Sequence, residues 1–358
     1  MFEKNKSDLH CHLNGSFSLA FLEETAKKHQ CLELYQKFLQ LRQEYLEQTE
    51  NQPESGYSQE LLNKAWKLFG FIHKIVRDAE DITLGTIDVV RNSAARYLEI
   101  RTTPKKFDEK SLDTLEAYDA YIDAFEAGLS AIKQDKEIKK EAYGLLSLDR
   151  TIHQVSDAQY FITRILESPN KVLVGLDICG NPEGTRTLSG EKLAKVVTLA
   201  LESQISIAIH MGETDTDLEK QDTDAVLNAL ELWKSKQPPQ EKNPFFGRVR
   251  LGHCIYLTQA QKEKIRSLGI PVEVCPTCHK KLNWYLENEK HLGAPVHPVA
   301  SIYDDVNGNL VVGTDDDIIF GSPIKREFKE FMRFFKNATQ MTKEQVKAHQ
   351  AEFRFNCV

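Results

Sequence analysis

His10 and His12 stand two residues apart in the short apolar run Ser7-Asp8-Leu9-His10-Cys11-His12-Leu13. Side chains alternate along an extended strand, so both imidazoles project from one face. Two neutral imidazoles on one face form half of a zinc site. A catalytic zinc takes about three or four protein ligands and keeps one position open for water. The pair alone is a weak signal. His210 and Asp315, which end two other apolar runs, complete an N and O ligand set with it: His10, His12, His210 and Asp315, for one Zn2+ per chain. Such an ion brings the pKa of water to roughly 7 and makes it a nucleophile. Glu213 follows His210 in His210-Met211-Gly212-Glu213, with Gly212 allowing a tight turn. A carboxyl group beside a metal can carry the proton between water and substrate. His253 is placed to orient or stabilise the nucleophile, and Asp316 is a second carboxylate facing the substrate. Taken singly, His210 and His253 could be core histidines, Asp315 to Asp317 a solvated turn, and Glu213 a helix-start carboxylate. Together, at matching positions, those readings are improbable.

The elements that must position these groups are eight short apolar runs. They end at Leu13, Thr103, Asp149, Gly180, Glu213, Cys254, Thr277 and Asp317. Helical stretches such as 111–140 and 190–203 separate most of them. Alternating strands and helices predict a parallel sheet, and eight strands predict closure into a (β/α)8 TIM-type barrel of the α/β class. Nearly every run is apolar at its start and polar at its end, where barrel enzymes place their catalytic groups. Residues 17–80 are expected to form a helical insertion over the barrel mouth, broken by a polar stretch at 51–60. Within it Trp66, Phe69, Phe71 and Ile72 recur at helical spacing. Residues 325–358 are expected to add a C-terminal helical layer. The whole of 1–358 is read as one domain.

The composition allows this. The 358 residues are 41% hydrophobic and 28% charged, with net charge −7. The negative balance disfavours a nucleic-acid surface, which needs clustered Lys and Arg. No apolar run approaches the roughly 20 residues that span a bilayer, and the first residues lack an apolar signal segment. Seven cysteines lack disulfide-scaffold spacing and are read as free thiols of a cytoplasmic protein. The partner expected is a small molecule, with no nucleic acid, no membrane and a monomeric chain.

The ordered motifs resemble the adenosine deaminase family: H-x-H in the first run, H-x-G-E in the fifth, G-H in the sixth, V-E-V-C-P in the seventh and T-D-D in the eighth. The resemblance implies that His10, His12, His210 and Asp315 bind zinc and that Glu213 is the proton shuttle at a purine ring. It further implies that His253 positions hydroxide and that Asp316 contacts hydroxide and a ring nitrogen. Attack at purine C6 then expels ammonia or an alkylamine. The fourth run ends Asp177-Ile178-Cys179-Gly180 without the lysine that bridges two metals in many amidohydrolases, so one metal is expected. The segments L-H-C-H-L-N-G-S, F-x-x-I-H-K, Y-L-E-I-R-T-T-P-K-K, L-D-R and V-G-L-D-x-x-G-N-P are more similar to the N(6)-methyl-AMP deaminase branch. That similarity implies substrate contacts at His12, Asn14, His73, Thr102, Thr103, Pro104, Lys105, Asp149, Gly180 and Asp316, and conversion of N(6)-methyl-AMP or related N6-alkyl-AMP to IMP and an alkylamine. Adenosine or deoxyadenosine deamination is the alternative. Another amidohydrolase activity, or a binding homologue without activity, stands further off. The chain departs from the family at Cys254, where glycine is commoner, and at Cys275-Pro276-Thr277-Cys278-His279, where Ser-Asn is more usual after Thr277. The C-x-x-C of Cys275 and Cys278 is read as strand-end packing.

Overall fold

The computed structural model describes residues 7–50, 59–107, 114–238, 242–282, 308–334, 346 and 350–355. Eight parallel strands lie in sequence order: β1 (Ser7–His12), β2 (Tyr97–Thr102), β3 (Glu141–Asp149), β4 (Leu173–Cys179), β5 (Ser206–Met211), β6 (Val249–His253), β7 (Val272–Val274) and β8 (Leu310–Val312). A parallel bridge from Cys11 to Asp315 joins the two edges. There the His12 N–H donates to the Asp315 carbonyl at 2.9 Å and the Asp315 N–H to the His10 carbonyl at 2.8 Å. The expected TIM-type barrel is therefore present.

Twelve helices accompany the strands among the described residues: α1 (Leu19–Lys28), α2 (Leu32–Glu50), α3 (Gln59–Ile75), α4 (Ala79–Asn92), α5 (Asp119–Gln134), α6 (Val155–Leu166), α7 (Gly190–Glu202), α8 (Asp217–Ser235), α9 (Gln259–Leu268), α10 (Pro276–Lys281), α11 (Asp317–Phe320) and α12 (Ile324–Phe334). Local chemistry sets several boundaries. Ser18 accepts from the Phe21 N–H at the start of α1, and Thr258 and Gln261 form a reciprocal capping box on α9. Helices α1 to α3 make up the expected insertion after β1; most of its polar break lies outside the described residues. Helix α5 begins at Asp119, after a 3-10 turn at Leu115–Tyr118, rather than near residue 111. Of the expected C-terminal layer, α12 and residues 350–355 are described.

Strand alternation sorts the two faces. Leu98, Ile100, Leu146, Leu148, Ile207 and Ile209 join the large core shared with the surrounding helices. Their strand neighbours face the barrel interior, and many are charged. Arg101 pairs with Asp177 and with Glu273, each at 3.0 Å, and Arg250 pairs with Glu273 at 2.6 Å and Glu99 at 2.5 Å. All five are at most 1% exposed.

Residues 350–355 close the floor beneath the N-terminal ends of the strands. Gln350 accepts from the Val312 N–H and donates to the Leu310 carbonyl. Phe353 packs on Leu9, Tyr97 and Val311. The Phe355 N–H donates to Glu99 at 2.7 Å, and the Phe355 ring lies 3.6 Å from the Arg250 guanidinium.

Candidate active site

The strand ends bring the predicted chemistry together at the opposite rim. His10 is fixed by its Nδ1, 2.7 Å from Glu273 Oε2. Burial opposes the charge on Glu273, but Arg101, Arg250 and His10 outweigh it and hold the carboxyl well below its usual range. An ionised carboxylate only accepts, so His10 Nδ1 carries the hydrogen. His210 Nδ1 likewise faces the Ile178 carbonyl at 2.8 Å. Both rings therefore turn their Nε2 lone pairs toward the rim centre, as metal-binding histidines anchored through their other nitrogen do.

A cation fits what they face. His10 Nε2 is buried without a hydrogen-bond partner, 3.3 Å from Asp315 Oδ1. Potential ligand atoms of His10, His210, His253 and Asp315 all lie within 4.8 Å of one another. His12, expected in the ligand set, sits at the edge of this group: its Nε2 is 3.2 Å from His210 Nε2 and 3.5 Å from Asp315 Oδ1. Burial pushes its pKa down to about 3, so the ring is neutral. His253, expected beside the metal, falls inside the group. Its ring centroid is 5.0 Å from those of His10 and His210. A donor group of nitrogen and oxygen atoms could hold a divalent ion of the zinc type.

Three rim residues adopt left-handed backbone without being glycine: His253 (φ 63), Cys254 (φ 56) and Asp315 (φ 60). Such strain persists where surrounding structure imposes it, and it clusters at functional sites. The Cys254 conformation explains why a glycine would be at home there.

Glu213 is 5% exposed. Gly212 before it has φ +64 and donates its N–H to Glu219, making the tight turn expected from the sequence. Arg150 Nη2 donates to Glu213 Oε2 at 2.7 Å, and Glu213 Oε1 is 3.9 Å from His253 Nε2. Burial pushes the Glu213 carboxyl up, against the pull of His210 and Arg150. A carboxyl so placed, beside the rim histidines, can exchange a proton with a reacting group.

Asp316 Oδ1 is buried without a partner. It packs so close to Gly15 that a Cβ added there would fall 1.8 Å from this oxygen. Gly15→Ala is therefore expected to rotate Asp316 away and lower kcat/KM at least tenfold, while the melting temperature moves by only a few degrees. Steady-state kinetics and calorimetry check this, and unchanged kinetics would remove Asp316 from the site.

A cavity of about 580 Å³ opens above this rim. His12, Asn14, His73, Thr102, Thr103, Pro104, Lys105, Asp149, Gly180 and Asp316 line it, as do Glu213, His210, His253 and Asp315; His10 lies behind them. Helix α3 roofs it with Leu62, Ala65, Trp66, Phe69 and His73, one face at helical spacing. Asn14 Nδ2 lies 3.4 Å from His73 Nε2. Burial, with help from Lys105, pushes the His73 pKa down to about 4. Lys105 Nζ donates to the Val76 carbonyl at 2.7 Å and so ties the end of α3 to the barrel. Asp149 accepts from the Thr151 N–H and hydroxyl.

Sequence reasoning missed the supports: Glu273 behind His10, Arg150 on Glu213, and His279 on His253. It also missed Glu219, which Arg150 and Arg186 both contact. Cys275 and Cys278 are buried and free.

Known proteins match this arrangement. A sequence of Xenopus laevis described as N6-Methyl-AMP deaminase-L is 28% identical over 340 residues, covering 90% of this chain and 82% of the relative. An N6-mAMP deaminase of Arabidopsis thaliana is 26% identical, covering 90% and 84%. A crystal structure of an Arabidopsis N6-mAMP deaminase superposes with a TM-score of 0.73 at 23% identity, covering 99% of this chain and 95% of that one. The adenosine deaminase family model matches residues 5–353. With nearly its full length covered by that match, the chain is a member of the adenosine deaminase family, a hydrolytic deaminase.

Proposed function

We propose that the protein removes the C6 substituent of a purine nucleotide, converting N(6)-methyl-AMP or a related N6-alkyl-AMP to IMP and an alkylamine, with one Zn2+ held by His10, His12, His210 and Asp315. The observation that carries this reading is the cavity itself: a nitrogen and oxygen donor group with Glu213 and Asp316 at its floor, and Thr103, Lys105 and His73 on its walls. The names of the Xenopus and Arabidopsis relatives support the nucleotide.

When bound, zinc supplies Lewis acidity that makes water nucleophilic at neutral pH. The chain's own groups do the rest. His253, kept neutral by burial, orients the water and accepts from it. Glu213 delivers a proton to a ring nitrogen as water adds at C6, and Asp316 accepts a hydrogen bond from the adduct. As the C6–N bond breaks, the amine takes the proton that His253 drew from the water, and the C6 hydroxyl returns a proton to Glu213. Asn14, Asp149 and Gly180 hold the sugar, and Thr102, Thr103, Pro104 and Lys105 with His73 meet the phosphate end. The partner in this reading is a small molecule, bound by a monomeric chain. No described helix is long and apolar enough to cross a membrane, and the free thiols support a cytoplasmic setting.

Comparing kcat/KM on N(6)-methyl-AMP, AMP and adenosine tests the assignment. N(6)-methyl-AMP is expected to lead adenosine by at least about 100-fold, and Lys105→Met is expected to lower the nucleotide value about tenfold with far less effect on adenosine. A phosphate contact of about 1.5 kcal/mol, the low end for hydrogen bonds to charged groups, corresponds to such a factor. An adenosine preference would overturn the nucleotide reading. Equal losses on both substrates would assign Lys105 only to its bond with Val76.

A further inference from the structure

Of the four imidazoles at the rim, His10, His210 and His253 are each held by the nitrogen turned away from the centre. For His10 and His210 the outer partner is a carboxylate and a carbonyl, which only accept. For His253 it is another imidazole: His253 Nδ1 lies 2.9 Å from His279 Nε2, with the ring centroids 5.1 Å apart and the planes at 71°. An imidazole can donate or accept, so this third anchor does not by itself set which nitrogen of His253 carries hydrogen.

The surroundings set it. A ring nitrogen of His253 lies within 4.8 Å of potential ligand atoms of His10, His210 and Asp315, and with Nδ1 turned to His279 that nitrogen is Nε2. An N–H aimed at a cation held there would be repelled, whereas a lone pair is attracted. His279 is 0% exposed and sits on a fixed platform: its N–H donates to the Cys275 carbonyl at 3.0 Å, and the Thr277 N–H two residues earlier donates to Glu327 at 2.9 Å.

We infer that His279 is a positioning residue for the reaction: its Nε2 accepts from His253 Nδ1–H and so presents the His253 Nε2 lone pair to the reacting centre. The inference rests on the proposed deaminase reading for its kinetic part only. The geometry asks of residue 279 a buried acceptor at the end of α10. Asparagine, whose amide oxygen accepts, should substitute for it, and alanine should not.

The experiment joins kinetics with a direct view of the ring. On the zinc-loaded protein, His279→Ala is expected to lower kcat about 10- to 100-fold, the usual effect of losing such a support, with KM within about twofold. His279→Asn should recover kcat to within about threefold of wild type. Long-range 15N correlation spectra of ring-labelled histidine, assigned through His253→Gln, should show His253 protonated at Nδ1. Equal losses in both variants, no loss in either, or His253 protonated at Nε2 overturns the inference. If the wild-type protein deaminates no purine, the functional reading fails, and the nitrogen spectrum alone decides the role of His279.

Discussion

Glu213→Gln is expected to reduce kcat by about 10³-fold, within the range that positioned acid-base groups contribute. The substitution keeps the shape of the side chain and removes only its ability to take and release a proton. Metal content should stay at wild-type level, since Glu213 is outside the proposed ligand set of His10, His12, His210 and Asp315 and outside the donor group that His253 joins. The Arg150 contact at 2.7 Å offers a second handle. Glutamine's amide oxygen can still accept from Arg150, so the melting temperature should fall little, whereas Glu213→Ala leaves a buried guanidinium short of an acceptor and should cost stability as well. Stopped-time product assays with metal analysis check the first point, and calorimetry the second. Turnover within tenfold of wild type in Glu213→Gln would remove this residue from proton transfer.

Arg250→Ala is expected to destabilise the fold by about 4 kcal/mol, the cost typical of breaking a buried ion pair from one side. Arg250 bonds Glu273, Glu99 and the carbonyls of Leu9 and Phe353. Its removal leaves Glu99 with the Tyr97 hydroxyl and the Phe355 N–H, and opens a void beneath the ring of Phe355. At about 2 cal/mol/K of unfolding entropy per residue, that corresponds to roughly 5 °C in melting temperature. A shift under 1 °C would mean that the interior charges relax freely, contrary to their burial. Activity at low temperature should survive, because Arg250 lies below the rim.

The rim was readable because a strand that ends in a chargeable residue after an apolar run is unusual. The triplet at His10, the His210 to Glu213 segment and Asp315 each stood out in that way. Their supports did not, for a physical reason. Arg250 and Glu273 each lie mid-strand, between apolar neighbours: Val249 and Leu251 in one case, Val272 and Val274 in the other. That pattern of two suits a half-exposed strand with its charge in water equally well. Only closure of the sheet turns the charged face inward and forces pairing. A mid-strand arginine and a mid-strand glutamate on neighbouring buried strands were the available signal. His279 follows a turn on a short helix, where spacing carries no periodicity, so only coordinates join it to His253. The helical roof was legible through Trp66 and Phe69, while the start of α5 was misplaced because polar residues before Asp119 suit a helix as well as the 3-10 turn that occurs.

The floor of the barrel has a consequence for biosynthesis. Residue 7 leaves the ribosome roughly 20–70 s before residue 355 at usual elongation rates. β1 lacks its bridge until Asp315 is made, and Glu99 and Arg250 lack the 350–355 segment that seals them for the whole interval. The nascent chain therefore carries an open, charged barrel bottom until residues 350–355 have emerged. A message truncated a few codons before Phe355 would yield a protein with every rim residue intact and no sealed floor, a substrate for quality control rather than an enzyme.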